Sequence, residues 1–176
     1  EGQYTTNNGG LNELYKQTSY KLTPTVDPYA SDFDLGETVD GWFVPSMPDL
    51  NQRNPHLMTY LIQNSKWWIE TVGIDGIRMD TYPYADAVGM AVWMKDINEE
   101  YPNYNVVGES WVTEPAYTAA LQKDSKITPT PQGYKGKEPF NTYLNTVMDF
   151  TFFDRMNLAK DEETDDWWKG LNRLYN

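Results

Sequence analysis

Two short apolar runs, each closing on a carboxylate, constrain what this chain folds into: GIDGIRMD at residues 73–80 and NVVGES at residues 105–110. Side chains alternate faces along a strand, so Gly76, Arg78 and Asp80 share one side while Ile77 and Met79 take the other. Twenty-nine residues separate Asp80 from Glu109. A strand, a crossover helix and the next parallel strand need roughly 30 residues, so the two carboxylates fall at equivalent ends of neighbouring strands. The intervening stretch fits that helix: Met90, Trp93, Met94 and Ile97 recur at helical spacing between about Asp86 and Glu100, and YPN closes it. Upstream, Asn54 suits an N-cap and Pro55 a first helical position. Leu57, Met58, Leu61, Ile62, Trp68, Ile69 and Val72 then form an apolar stripe that Gly73 ends. This stripe predicts a helix over 55–72 with Trp68 in the core. A third helix is expected near 115–123 and a third strand near 145–150, after a Pro- and Gly-rich loop at 128–140. From Lys160 the chain reads as a further helix.

The paired carboxylates carry a chemical implication. Parallel strands lie about 4.8 Å apart, which brings the two carboxyl groups to a separation on the order of 5 Å. At roughly that distance one carboxylate attacks a sugar directly, whereas seating a water between them takes about 6.5 to 9.5 Å. Arg78 keeps Asp80 ionised, as a nucleophile requires, and Val107, Trp111 and a nearby anion suit Glu109 to a general acid. A lone strand-end carboxylate is commonly a helix cap or a surface ion-pair partner. Two of them one βα unit apart, with an arginine alongside, favour function. Tyr82, Tyr84 and Trp111 lie just past the strand ends, where their rings either line a sugar site or pack the rim. Trp42 and Phe43 are weaker candidates of the same kind.

Composition narrows the class. The chain has 176 residues, 39% hydrophobic and 15% aromatic, enough for one domain with a real core. A net charge of −12 argues against binding nucleic acid or anionic membranes. With no cysteine and one histidine, disulfides and thiolate metal sites are excluded and zinc is disfavoured. No run resembles a signal peptide or a membrane span. Residues 1–46 show no sustained period and read as an irregular loop region. Its acids Asp27, Asp32, Asp34, Glu37 and Asp40 offer oxygen ligands for calcium, but DFDLGE lacks a complete binding-loop pattern, so a solvated surface is the favoured reading.

GIDGIRMD resembles the strand-four motif of the α-amylase family of glycoside hydrolases, and GESW its strand-five motif. MPDLN at 47–51, followed by QRNP, is similar to the family's signature after an inserted loop domain. The likeness runs from about residue 40 to 155 and looks closest to the neopullulanase and cyclomaltodextrinase group, which usually carries a lysine where Asp49 stands. The resemblance implies a partial (β/α)8 barrel at 47–176, covering about strands four to six, with 1–46 as the tail of the inserted domain. It implies Asp80 as nucleophile, Glu109 as acid/base and Arg78 as the partner that orients the nucleophile. The reaction implied is retaining hydrolysis of α-glucans such as starch, maltooligosaccharides, pullulan or cyclodextrins. No organic cofactor is implied; calcium is bound by some members. Two family elements have no counterpart: a strand-seven aspartate after a histidine, and a strand-three aspartate with an asparagine-histidine pair. The one histidine, His56, precedes Leu57. Asp149 in NTVMDF reads as structural rather than as a replacement carboxylate. The expectation is therefore a piece of a longer, secreted or periplasmic enzyme, inactive alone and prone to self-association through unpaired barrel edges. The alternatives are an α-glucan transglycosylase, a non-catalytic amylase-like binding or interaction protein, and a structural half-barrel.

Overall fold

The computed structural model describes residues 6–7, 10–11, 27, 30–42, 47, 49–162 and 167–174. Phe43 lies outside the described residues. Near the start, β1 (Thr6–Asn7) and β2 (Gly10–Leu11) form a short antiparallel ladder. The body then runs α1 (Asp32–Asp40), α2 (Pro55–Val72), β3 (Gly76–Met79), α3 (Ala87–Glu100), β4 (Asn105–Gly108), α4 (Pro115–Ala120), β5 (Thr146–Val147) and α5 (Phe150–Asp161). A 3-10 turn at Tyr82–Tyr84 follows β3, and another closes the described chain at Gly170–Leu174.

The three later strands make one parallel sheet in the order β3-β4-β5. Gly76 pairs with Asn105 and Met79 with Gly108, so the predicted spacing becomes the register. One face of the sheet meets α2 and α3. Met58 and Ile62 of α2, and Met90, Trp93, Met94 and Ile97 of α3, pack with Val106, Leu144 and Tyr82, with Ile77 and Met79 against them. The opposite face carries Arg78 and Val107. Helix boundaries follow local chemistry. The Asn54 side chain accepts the His56 N–H at 3.0 Å, Pro55 takes the first position, and Gly73 ends α2 at φ +71°.

Gly108 shows why the second motif has no side chain before its carboxylate. A Cβ there would meet Leu144 Cδ2 at 2.8 Å and Tyr82 Cγ at 3.1 Å. The glycine lets two core side chains close over β4.

Several expectations are corrected. Residues 32–40, read as irregular, are helical. Ser31 Oγ accepts the Asp34 N–H at 3.1 Å and donates to its carboxylate at 2.7 Å, and Asp32 and Asp34 face the positive end of the helix dipole. Trp68, expected in the core, is 45% exposed and meets the Trp67 ring edge-on at 4.8 Å. The cluster reaches α2 only as far as Ile69. The terminal helix starts at Phe150, not near Lys160, because Asp149 caps it by accepting the Phe152 N–H at 2.8 Å. Asp149 is structural, as read. α4 stops at Ala120, where Thr142 Oγ1 bonds the Leu121 carbonyl.

Candidate active site

The backbone ladder continues past the strands. Glu109 N–H donates to the Met79 carbonyl at 2.9 Å and Tyr82 N–H to the Glu109 carbonyl at 3.1 Å. Asp80 and Glu109 are thereby held side by side at the C-terminal ends of β3 and β4. The predicted trio of Arg78, Asp80 and Glu109 is together in the structure.

Its internal geometry differs from the expected one. Arg78 was expected to serve Asp80. Its Nη1 does pair with Asp80 Oδ2, at 3.3 Å, but its Nη2 lies closer, 2.5 Å, to Glu109 Oε1. Burial explains the preference. The Glu109 side chain is 8% exposed and that of Asp80 64%, so Glu109 has little water to replace a lost partner. The two carboxyl groups are neighbours in contact with the one guanidinium that spans both. The Glu109 carboxyl, aided by Arg78 and the Thr81 N–H, holds Asp80 below its ordinary 3.8.

Glu109 has two further donors. The Thr81 N–H reaches Oε2 at 3.0 Å and the Trp111 indole N–H reaches Oε1 at 3.1 Å. Thr81 adopts φ +50°, a conformation uncommon for a non-glycine residue, and this turns its N–H toward the carboxylate. Sequence reading missed Thr81 because its contribution is a backbone donor with no side-chain signature. It also missed Phe150, whose ring stacks on Trp111 at 4.3 Å and 27°.

The three rings part company. Trp111 is 62% exposed and borders the carboxylates. Tyr84 is half-buried beside Glu109, and burial, then that charge, raises its hydroxyl. With Thr81 it lines a cavity of about 270 Å³ that also holds Asp49 and Gln52. Tyr82 does not line the site: it is 4% exposed and packs over Gly108 in the core. Trp42 is also buried. A larger cavity of about 370 Å³, bordered by Arg53, Asp86, Tyr117 and Phe140, includes none of Arg78, Asp80 and Glu109.

Two of the acids considered for calcium are engaged elsewhere. Asp34 serves the α1 cap and Asp40 pairs with Arg53 at 2.6 Å. Among the described residues no three His, Cys, Asp or Glu side chains are grouped to hold a metal ion.

Residues 36–172 match the sequence profile described as "Alpha amylase, catalytic domain". The chain is 33% identical to the intracellular maltogenic amylase of Bacillus subtilis over 69 residues, which is 39% of this chain and 12% of that protein. It is 33% identical over 91 residues to a cyclomaltodextrinase of a Bacillus species, covering 50% and 14%. Neopullulanase 2 of Thermoactinomyces vulgaris gives 35% over 88 residues, covering 47% and 14%. The matched stretches thus span 12% to 14% of these relatives' lengths. Among solved structures, an Anoxybacillus α-amylase superposes over 93% of this chain and 30% of its own, with a TM-score of 0.61 at 23% identity, a likeness of fold. A parallel sheet flanked by helices, a carboxylate pair at its strand ends and a profile match across most of the chain agree: this chain belongs to the α-amylase family, whose catalytic domain is a (β/α)8 barrel.

Proposed function

We propose that the chain is the strand-four to strand-six part of a retaining α-glucan hydrolase, with Asp80 as nucleophile, Glu109 as acid/base and Arg78 as the cation that holds both. The observation that carries this reading is the side-by-side placement of Asp80 and Glu109 at parallel strand ends under one guanidinium. Asp80 is suited to attack because it is exposed and stays ionised. Glu109 is suited to proton transfer because the backbone fixes it while its carboxyl borders the open rim.

In the first step an Asp80 oxygen forms a bond to the anomeric carbon as the glycosidic C–O bond breaks. The departing oxygen takes a proton from Glu109. In the second step Glu109 removes a proton from water, the hydroxide oxygen bonds to the anomeric carbon, and the Asp80 ester is released as carboxylate. A sugar hydroxyl in place of that water gives transglycosylation with the same residues. Trp111 and Tyr84 supply the rings beside the bond being broken. The names of the relatives point to maltooligosaccharides, cyclodextrins and pullulan as substrates. Among the described residues the parallel sheet has three strands and stays open, so we infer that the 176 residues alone turn over none of these and self-associate through their edges.

The test is covalent trapping in the full-length protein. A 5-fluoroglucosyl fluoride slows release of the ester, and peptide mass spectrometry is expected to find one glycosyl adduct on Asp80. An adduct elsewhere, or a product of inverted anomeric configuration, rejects the assignment. Failure to bind or turn over any α-glucan favours the non-catalytic reading instead.

A further inference from the structure

The third βα unit of the sheet reaches the carboxylate pair through a ring. Trp111 follows Glu109 by two residues, and its indole N–H returns to the Glu109 carboxylate at 3.1 Å. The backbone between them is pinned, since Ser110 and Val112 are buried and Val112 N–H bonds the Ser110 carbonyl at 2.7 Å. The indole itself is not enclosed. With 62% of its surface exposed, its rotamer is open unless something packs the ring. Phe150, the first residue of α5, does so: the rings stack at 4.3 Å and 27°, and Phe153 braces Phe150 edge-on at 6.2 Å and 79°. Asp149 fixes the start of that helix by capping it.

We propose that Trp111, clamped by Phe150, is a positioning residue for Glu109. Oε1 receives both the indole N–H and Arg78, and Oε2 receives the Thr81 N–H. The three donors to this carboxyl thus come from different elements: β3 through Arg78, the following turn through Thr81, and α5 through the Phe150-Trp111 stack. A proton donor works only when aimed at the departing oxygen, so loosening one of three supports costs proton transfer while the attack by Asp80 is spared. The inference rests on the acid/base reading of Glu109, and its first test does not depend on catalysis.

That test is the Trp111 indole cross-peak in a ¹H–¹⁵N spectrum of the full-length protein, assigned by its loss in Trp111→Phe. Phe150→Ala is expected to shift it upfield and speed its N–H exchange with water about tenfold, a local opening. Phe150→Tyr is expected to leave it in place. An unmoved cross-peak in Phe150→Ala overturns the clamp whatever the enzyme does. The second test uses the full-length protein. Trp111→Phe and Phe150→Ala are each expected to lower kcat on a maltooligosaccharide about tenfold and to change turnover of an aryl glycoside with an acidic phenol less than about twofold. Equal losses on both substrates, or a change in KM alone, overturn the positioning role. If Glu109→Gln itself shows no such split, the acid/base reading fails while the cross-peak result stands.

Discussion

Two arginines in this chain make the same fork and put it to different uses. Arg53 bonds Asp86 through Nε at 2.7 Å and Asp40 through Nη1 at 2.6 Å. Arg78 spans Glu109 at 2.5 Å and Asp80 at 3.3 Å. Each joins one buried carboxylate, 6% exposed for Asp86 and 8% for Glu109, to one that is more than half exposed. What differs is the rest of each buried carboxylate's surroundings. Asp86 also accepts the Gly89 N–H at 2.7 Å, capping α3, and Gln52 accepts the Asp86 N–H at 3.3 Å. Its donors belong to fixed backbone and to the motif that follows residue 50, so it ties α1, that motif and α3 into one body. Glu109 faces a turn with positive φ, an exposed indole and a second carboxylate. An ion pair identifies a site only through what its carboxylate can still reach.

The largest effects should therefore separate the two forks. Glu109→Gln in the full-length protein is expected to cut turnover of ordinary α-glucans about 10³-fold while sparing substrates with activated leaving groups, and to shift the thermal midpoint little. Asp86→Ala is expected to do the reverse, costing about 2 kcal/mol in a denaturant titration through loss of a helix cap and of the partner of Arg53. Substrate profiles and unfolding curves of the two variants side by side check this. An Asp86→Ala protein of unchanged stability, or a Glu109→Gln protein that unfolds, breaks the comparison.

Legibility of these features in the sequence follows the range of the interactions behind them. The parallel strands and α2 and α3 were readable because period-two and helical stripes are local, and the 29-residue repeat between Asp80 and Glu109 is the register itself. α1 was not readable. Gly36 and the lack of a sustained apolar period speak against a helix, and its support comes from Ser31 and from Arg53, thirteen residues beyond Asp40. The trio at the strand ends was legible as a set. The allegiance of Arg78 was not, because it depends on which carboxylate burial deprives of water. Tyr82 and Trp68 erred in opposite directions. One ring was claimed by the space over Gly108, the other left outside the cluster.

A smaller effect sharpens the catalytic side. Asp80 is held below 3.8, first by the neighbouring Glu109 carboxyl and then by Arg78. Its folded value lies below its unfolded one, so this interaction stabilises the fold above the ordinary aspartate range and is lost as pH falls through the folded value. A ¹³C titration of the carboxyl is expected to show the depressed midpoint, with Glu109→Ala and Arg78→Met each moving it back up. Arg53→Met is the control. Movement of the Asp80 midpoint in that variant would mean that the forks are not independent.

The smallest effect tests what happens to a half-buried carboxylate held by an amide instead of a guanidinium. Asp49 lies near Asp86 and accepts from Gln52 Nε2 at 2.7 Å. Burial, the largest influence, raises it above 3.8 despite that hydrogen bond, and the charge of Asp86 acts in the same direction. The sign is opposite to that of Asp80. A raised folded value means that the folded chain binds its proton more tightly than the unfolded one, so stability falls as pH rises from 3.8 through the folded value. Asn keeps an oxygen for Gln52 and carries no charge to desolvate. Asp49→Asn is therefore expected to gain about 0.5 kcal/mol at neutral pH and nothing at pH low enough to protonate Asp49 in the parent chain. Urea titrations of both proteins at the two pH values measure it. A loss of equal size at both would show that the Asp49 carboxylate is needed as an anion in the fold, and that the difference between amide and guanidinium partners does not decide its cost.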